Sequence, residues 1–301
     1  MHSMKNGNPI SLASPSGLKM LTPSKAYFLA ARPKTFSAGI CPVIIGMSFV
    51  SKIAWETLFL TLLFSLLIQI GTNYANDYFD FVKGADTEER KGPRRAVQQG
   101  WITPQNMLFA STLSFLAAFG CAIPLMIQAG LWSFAITILC ILFGVLYTGG
   151  PKPLGYAGFG ELLVFIFYGP VATLGTYFLQ MGEITSSVMI ASLAPGFLSS
   201  AILMANNLRD EETDRKAKKR TLVVRFGSTF GKCLYVFFIF SAFLVPVFFA
   251  FPLKLLCPLM LIFTPFWNIF RNKEALQATS LSLLLYTIIF YYGQCGYTET
   301  T

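Results

Sequence analysis

Two short stretches concentrate the side chains able to grip a phosphate through a metal ion, and nine of the fourteen acidic residues lie in them. The first holds Asn73, Asn76, Asp77, Asp80, Lys83 and Asp86, with Glu88 and Glu89 just beyond. The second holds Asn206, Asn207, Arg209, Asp210, Glu211, Glu212 and Asp214. Asn73, Asp77 and Asp80 are four and three residues apart, Asn76 and Asp80 four, and Asp210 and Asp214 four, so on a helix each set shares a face. Two such faces suit magnesium, which takes oxygen ligands, keeps waters and completes its shell with substrate phosphates. Lys83, Arg94 and Arg95 follow the first stretch, and Lys216, Lys219 and Arg220 the second. Guanidinium forks and ammonium groups match phosphate oxygens, so the pattern points to a diphosphate bridged by magnesium. Glu88, Glu89, Glu211, Glu212, Lys91 and Lys218 read instead as loop charges in surface ion pairs.

Two further segments carry polar chemistry. Tyr147 opens a run rich in glycine and proline, through Tyr156, that fixes an irregular loop; it is either a plain turn or a place where Tyr147 faces substrate. Arg32 and Lys34 flank Pro33 in an otherwise apolar segment, and either snorkel to an interface or bind substrate. The single histidine, His2, lies in a polar tail, which excludes a buried histidine base or a histidine-ligated metal. The six cysteines are scattered with no paired spacing, so they read as small apolar packing residues rather than a zinc site.

These residues need elements to hold them, and the composition says where those elements are. The 301 residues are 54% hydrophobic and 12% charged, with a mean hydropathy of +0.59. A soluble domain carries about a quarter charged residues. The chain is therefore an all-α integral membrane protein in contact with the lipid bilayer. Runs of about 20 apolar residues predict nine transmembrane helices: 27–50 (interrupted at 32–34), 55–78, 106–128, 131–147, 159–180, 185–208, 231–251, 253–270 and 275–292. The predicted organisation is a polar tail over 1–25, one transmembrane domain over 26–294 and a short tail over 295–301. With the N-terminus cytoplasmic, all basic residues but Lys52 and Lys254 fall on the inner side. The net charge of +9 is thus a matter of topology and anionic lipid rather than nucleic acid. Both acidic stretches stand at inner helix ends. No obligate protein partner is indicated.

The stretches Ala31–Gly46, Gln69–Asp86, Arg90–Arg95, Tyr147–Glu161 and Asn206–Gly227 resemble, in this order, the motifs of the UbiA superfamily of intramembrane aromatic prenyltransferases. The similarity is greatest to its menaquinone branch, which acts on 1,4-dihydroxy-2-naphthoate. The resemblance implies nine helices around a central cavity, open to the cytoplasm and sideways to lipid, in a bacterial inner membrane. It places Mg2+ on Asn73, Asn76, Asp77, Asp80, Asp210 and Asp214, and the diphosphate on Lys83, Arg94, Lys219 and Arg220. Two positions depart from the family. Lys218 stands where relatives often have glycine, and Gly84 stands where other branches have an aspartate, with Asp86 the nearest substitute.

The implied reaction joins a polyprenyl diphosphate to an aromatic acceptor. Asp77 and Asp210 act at the diphosphate, and Tyr147 offers its face to an allylic cation; Arg32, Lys34 and Asn207 bind the rest of the substrates. The naphthoate carboxylate leaves as carbon dioxide, giving demethylmenaquinone. Transfer to another acceptor, such as 4-hydroxybenzoate, is the nearest alternative. A transporter is a more distant one, because its charges are expected at breaks in mid-membrane.

Overall fold

The computed structural model describes residues 21–86, 92, 94–249 and 275–298, with backbone only for 295–298. The expected helix over 253–270 lies outside these residues. So do His2, Glu88, Glu89, Arg90, Lys91, Lys254 and most of the polar tail.

Every regular element among the described residues is helical. The order is α1 (Pro23–Ala30), α2 (Phe36–Met47), α3 (Trp55–Val82), α4 (Pro104–Ala129), α5 (Leu131–Leu146), α6 (Gly160–Ile166), α7 (Ala172–Met181), α8 (Ser186–Lys216), α9 (Leu222–Leu244) and α10 (Ala275–Thr298). A π turn, Phe167–Val171, fuses α6 and α7 into one span around Pro170, and a 3-10 turn, Val245–Phe248, extends α9. Proline removes one backbone donor, and the wider π turn accommodates the gap. Six spans are long and apolar enough to cross a membrane: α3, α4, α6–α7, α8, α9 with its 3-10 turn, and α10. α5, at 16 residues, and α2, at 12, are shorter.

Local chemistry sets the ends. The hydroxyls of Thr103, Thr185 and Thr221 accept the amides of Asn106, Val188 and Val224, capping α4, α8 and α9. Gly130, at φ 72°, turns the chain from α4 into α5.

α8 is the central strut and packs on α2, α6, α7, α9 and α10. The main core joins Ile45, Leu198, Met204, Tyr235, Leu283, Tyr286 and Phe290 from α2, α8, α9 and α10. The backbones of α8 and the α6–α7 span nearly touch. A Cβ on Gly169 would stand 2.8 Å from the Gly196 Cα, and one on Gly196 would stand 2.8 Å from the Phe165 carbonyl. A second core, with Ala26, Ala30, Tyr74, Val97 and Met107, seats α1 and the 94–102 loop against α3.

Two boundaries differ most from the hydropathy expectation. α8 runs eight residues beyond Leu208, because charged residues that end an apolar run do not end a helix. Glu211 and Arg215 form an i,i+4 ion pair at 2.9 Å, and Arg215 and Lys216 complement the C-terminal dipole. α9 begins at Leu222 rather than near Gly231 and bends at Gly227, φ 88°.

An apolar cavity lies between α2, α3, α4, α5 and the α6–α7 span. Thr72 and Tyr147 line it near the aspartates, and Thr61, Trp132 and Leu179 line it at the far side. Trp132 and Ile136 line it and are also exposed on the outside of the bundle. The cavity therefore opens sideways. α5 packs on α3 and α4 and meets the α6–α7 span at the Phe143–Phe167 ring pair, 5.4 Å between centroids. Beyond the far end, Gln128 ties the Thr57 hydroxyl at 3.2 Å to the Leu179 carbonyl at 2.7 Å.

Candidate active site

The last three turns of α3 bury Asn73, Asn76, Asp77 and Asp80, as their shared face predicts, and α8 buries Asn207, Asp210 and Asp214. Asp80 is the hub. Its Oδ2 accepts from Arg95 Nη2 at 3.1 Å and Lys219 Nζ at 3.0 Å, and its Oδ1 accepts from the Tyr156 hydroxyl at 2.6 Å. Lys219, just beyond α8, also stands 3.8 Å from Asp214. One ammonium thus spans the two acidic stretches, which are far apart in sequence.

The Tyr147–Phe159 loop wraps this hub. Lys219 Nζ lies 4.8 Å and Lys83 Nζ 5.2 Å from the centre of the Tyr156 ring, both within cation–π range. Lys83 also donates to the carbonyls of Thr148 and Gly150 at 2.5 and 3.1 Å. Burial, then the Asp80 charge, pushes the Tyr156 phenol far above its ordinary range, so it stays a donor to Asp80. Partial burial draws the Lys83 ammonium below its usual value; the Asp80 charge opposes the shift and Lys219 adds to it. The Thr148 hydroxyl donates to Asn76 at 2.6 Å, and the Arg220 amide donates to the Tyr156 carbonyl at 2.8 Å.

Asp77 accepts the Ala96 amide on Oδ2 at 3.1 Å, while its buried Oδ1 has no hydrogen-bond partner among the described residues. Asn73 donates to the Ala31 carbonyl at 2.9 Å, fixing the break between α1 and α2. There Arg32 sits in the left-handed region, φ 60°, before Pro33, a conformation that costs a non-glycine residue about 1 kcal/mol. From this position its charge acts on Asp77 and Tyr147. Lys34 is exposed, and its carbonyl holds Ser280 of α10 at 2.7 Å.

Asp210 is gripped by its neighbour, Arg209, at 2.7 and 2.8 Å. Gly92 covers this pair so closely that a Cβ there would stand 2.7 Å from the Arg209 guanidinium. Asn207 donates to Glu161 Oε1 at 2.8 Å. Tyr147 is half-buried on the cavity wall.

Some expected residues stand apart. Of the two adjacent arginines, Arg94 is exposed and Arg95 is the one buried against Asp80, with Asp86 3.6 Å from its Nε. Arg220 is exposed and contributes its backbone. Lys218 is exposed, with φ at 57°, the geometry that makes glycine usual there. Sequence reasoning passed over Tyr156 and Glu161. Both lie inside the family-like Tyr147–Glu161 stretch, and a lone acid beside glycine at the start of an apolar run was the available signal for Glu161.

The donors fit a hard cation. They are carboxylate and amide oxygens, and Asp77 Oδ1 is buried and open. Among the described residues no three acidic, cysteine or histidine side chains converge as a closed metal cage. Magnesium needs none, since it is commonly held by one or two carboxylates plus substrate phosphates and water.

Residues 39–291 match the model of the UbiA prenyltransferase family. The chain is similar to the 1,4-dihydroxy-2-naphthoate octaprenyltransferase of Mycobacterium tuberculosis, 41% identical over 68% of this chain and 71% of the relative. It is also similar to that of Escherichia coli, 34% identical over 69% and 71%. A solved UbiA homolog from Archaeoglobus fulgidus bound to DMAPP and Mg2+ shares the fold, with a TM-score of 0.61 at 14% identity over 90% of this chain and 99% of that one. So does the apo UbiA homolog from Aeropyrum pernix K1, with a TM-score of 0.63 at 13% identity over 86% and 96%.

Proposed function

The chain belongs to the UbiA prenyltransferase family, and from that premise we propose that it transfers a polyprenyl group from a polyprenyl diphosphate to 1,4-dihydroxy-2-naphthoate, with decarboxylation, giving demethylmenaquinone for menaquinone biosynthesis. The relatives named for this activity support the acceptor. One structural observation supports the site most directly: Lys219 joins the α8 stretch to Asp80 of α3, beside an apolar cavity whose wall includes Tyr147.

Asn73, Asn76, Asp77, Asp80, Asp210 and Asp214 are the proposed magnesium and diphosphate face, with Asp77 Oδ1 the open ligand position. When bound, magnesium supplies positive charge that neutralises the departing diphosphate. Lys83 and Lys219 add fixed positive charge from the chain itself, and exposed Arg94 and Arg220 receive the diphosphate at the rim. Positioned cations aimed where charge develops are the strongest tools for such a step. Tyr147 presents its ring to the allylic carbon as the carbon–oxygen bond lengthens. Arg32, aimed inward by its left-handed backbone, faces the naphthoate carboxylate, and Asn207, held at Glu161, is assigned to the same substrate. Lys34, exposed beside α10, is left out of the site. The isoprenyl tail lies in the apolar cavity, which spans about 22 Å of helix rise between Trp132 and Tyr147.

The reading includes nine transmembrane helices, with the N-terminus and the active site facing the cytoplasm, in a bacterial inner membrane. It is supported by the six described spans long and apolar enough to cross a membrane, by the shorter apolar helices α2 and α5, by the apolar run over 253–270, and by the way basic residues alternate between the apolar runs of the sequence.

Purified protein in lipid, with Mg2+, radiolabelled polyprenyl diphosphate and 1,4-dihydroxy-2-naphthoate, tests it. Prenylated naphthoquinol with carbon dioxide release is expected, lost in Asp77→Ala and in Asp210→Ala. Transfer only to a different aromatic acceptor would overturn the acceptor and keep the family chemistry.

A further inference from the structure

Glu161 is a carboxylate that the steps above do not use. It lies in the first turn of α6, only 3% exposed. Among the described residues no lysine or arginine forms an ion pair with it. α8 holds it on two sides: Asn207 donates to Oε1 at 2.8 Å, and Ser200 donates to its backbone carbonyl at 3.0 Å. A buried carboxylate without a counter-charge is costly, and such groups within membrane spans mark function.

Its surroundings say which function. The Tyr147 hydroxyl lies 3.1 Å from where a Cβ on Gly160 would stand, so the phenol packs beside the residue preceding Glu161. The Glu161 charge acts on that phenol, as do those of Arg32 and Asp80. Tyr147 lines the apolar cavity, while Asn207 stands one turn before Asp210 on α8. Glu161 therefore sits between the end of the tail cavity and the diphosphate face, where the allylic carbon and the acceptor ring must meet.

We propose that Glu161 is a catalytic base toward the hydroxyl of the aromatic acceptor, held in place by Asn207; this rests on the function proposed above. The ring carbon bearing the carboxylate forms its bond to the allylic carbon as the diphosphate departs with the carbon–oxygen electron pair. The neighbouring O–H bond breaks, its proton passes to Glu161, and its electrons form a carbonyl. The resulting β-keto acid loses carbon dioxide, and the electrons of the broken carbon–carbon bond restore the aromatic ring. The ring oxygen then recovers the proton from Glu161, which ends the cycle as it began. No oxidant or further reactant enters.

The test compares full-length wild type, Glu161→Gln and Glu161→Asp in lipid, with Mg2+, polyprenyl diphosphate and 1,4-dihydroxy-2-naphthoate, over a pH series. Glutamine keeps an oxygen for Asn207 but cannot take a proton. The expected result is a kcat lowered by roughly 10²- to 10⁴-fold, the usual contribution of a positioned base, with the KM for the diphosphate unchanged. The Glu161→Gln rate should climb with pH as the naphthol ionises by itself, while wild type levels off. Glu161→Asp should recover part of the rate with the wild-type profile. A Glu161→Gln rate within threefold of wild type, a fall in rate with an unaltered pH profile, or a fall explained by weakened diphosphate binding would each overturn the proposal. If wild type prenylates another phenol instead, the acceptor assignment fails by itself, and the same comparison on that phenol decides the role of Glu161.

Discussion

Replacing Asp80 with asparagine tests whether the charges around it act as one unit. Asp80 is 1% exposed and is held by Arg95 at 3.1 Å, Lys219 at 3.0 Å and Tyr156 at 2.6 Å. The amide preserves the shape and removes the charge, leaving two buried cations short of their main counter-ion. Breaking a buried pair on one side costs about 3–5 kcal/mol. Each cation keeps a longer second partner, Asp86 at 3.6 Å for Arg95 and Asp214 at 3.8 Å for Lys219, so the lower end, about 3 kcal/mol, is expected. Lys219→Met should cost a similar amount, since it strips Asp80 of one of its two cations. In the double variant the mismatch is partly relieved, and the combined loss should fall short of the sum by about 1–3 kcal/mol. Unfolding of such a protein is a rate rather than an equilibrium, so the assay is the half-life of monodisperse protein on heating in detergent. A coupling of about 1.4 kcal/mol appears there as up to a tenfold difference in half-life. Losses that add to within about 0.5 kcal/mol would refute the idea of a shared network.

Other outcomes follow from the same geometry. Gly175 lines the apolar cavity with nothing within 4 Å of an added Cβ; Gly175→Phe should fold normally and cut transfer from long polyprenyl diphosphates far more than from a ten-carbon donor, as measured by kcat/KM for each. Chelation by EDTA should abolish transfer, and Mg2+ added back should restore it, as read by product formation on one sample. Lys218→Gly should lengthen the thermal half-life by relieving a left-handed backbone worth about 1 kcal/mol, with transfer activity unchanged. Gly196→Ala should destabilise by about 1–3 kcal/mol, because the methyl group meets the Phe165 carbonyl at 2.8 Å; the same heating assay reads it.

Much of the site was legible because helical periodicity acts locally. Asn73, Asp77 and Asp80 fall on one face at three- and four-residue spacing whatever surrounds them, and hydropathy marks the spans because lipid imposes a length. What stayed hidden depends on contacts between distant segments. Arg94 and Arg95 are chemically identical neighbours, and only the path of their loop over α3 decides which one meets Asp80. Tyr156 becomes a partner of Asp80 only because the Tyr147–Phe159 loop folds back across the hub. The last turns of α8 run past the end of its apolar stretch, because an apolar run records where lipid ends, not where hydrogen bonding ends. Arg32 shows the same limit at the backbone: its sequence suggests a snorkelling cation, while its positive φ before Pro33 turns it inward.

The sideways opening beside Trp132 and Ile136 has a consequence for how this protein must be assayed. A donor that slides in from the bilayer, and a product that slides back into it, never cross bulk water with their tails. The relevant abundance of both is their mole fraction in the membrane, not their concentration in the tube. Adding inert phospholipid at fixed amounts of protein, donor and acceptor should slow turnover by diluting the donor within its own two-dimensional solvent, while adding buffer should not. The catalyst sits at a phase boundary, taking its soluble ring from one solvent and its chain from the other.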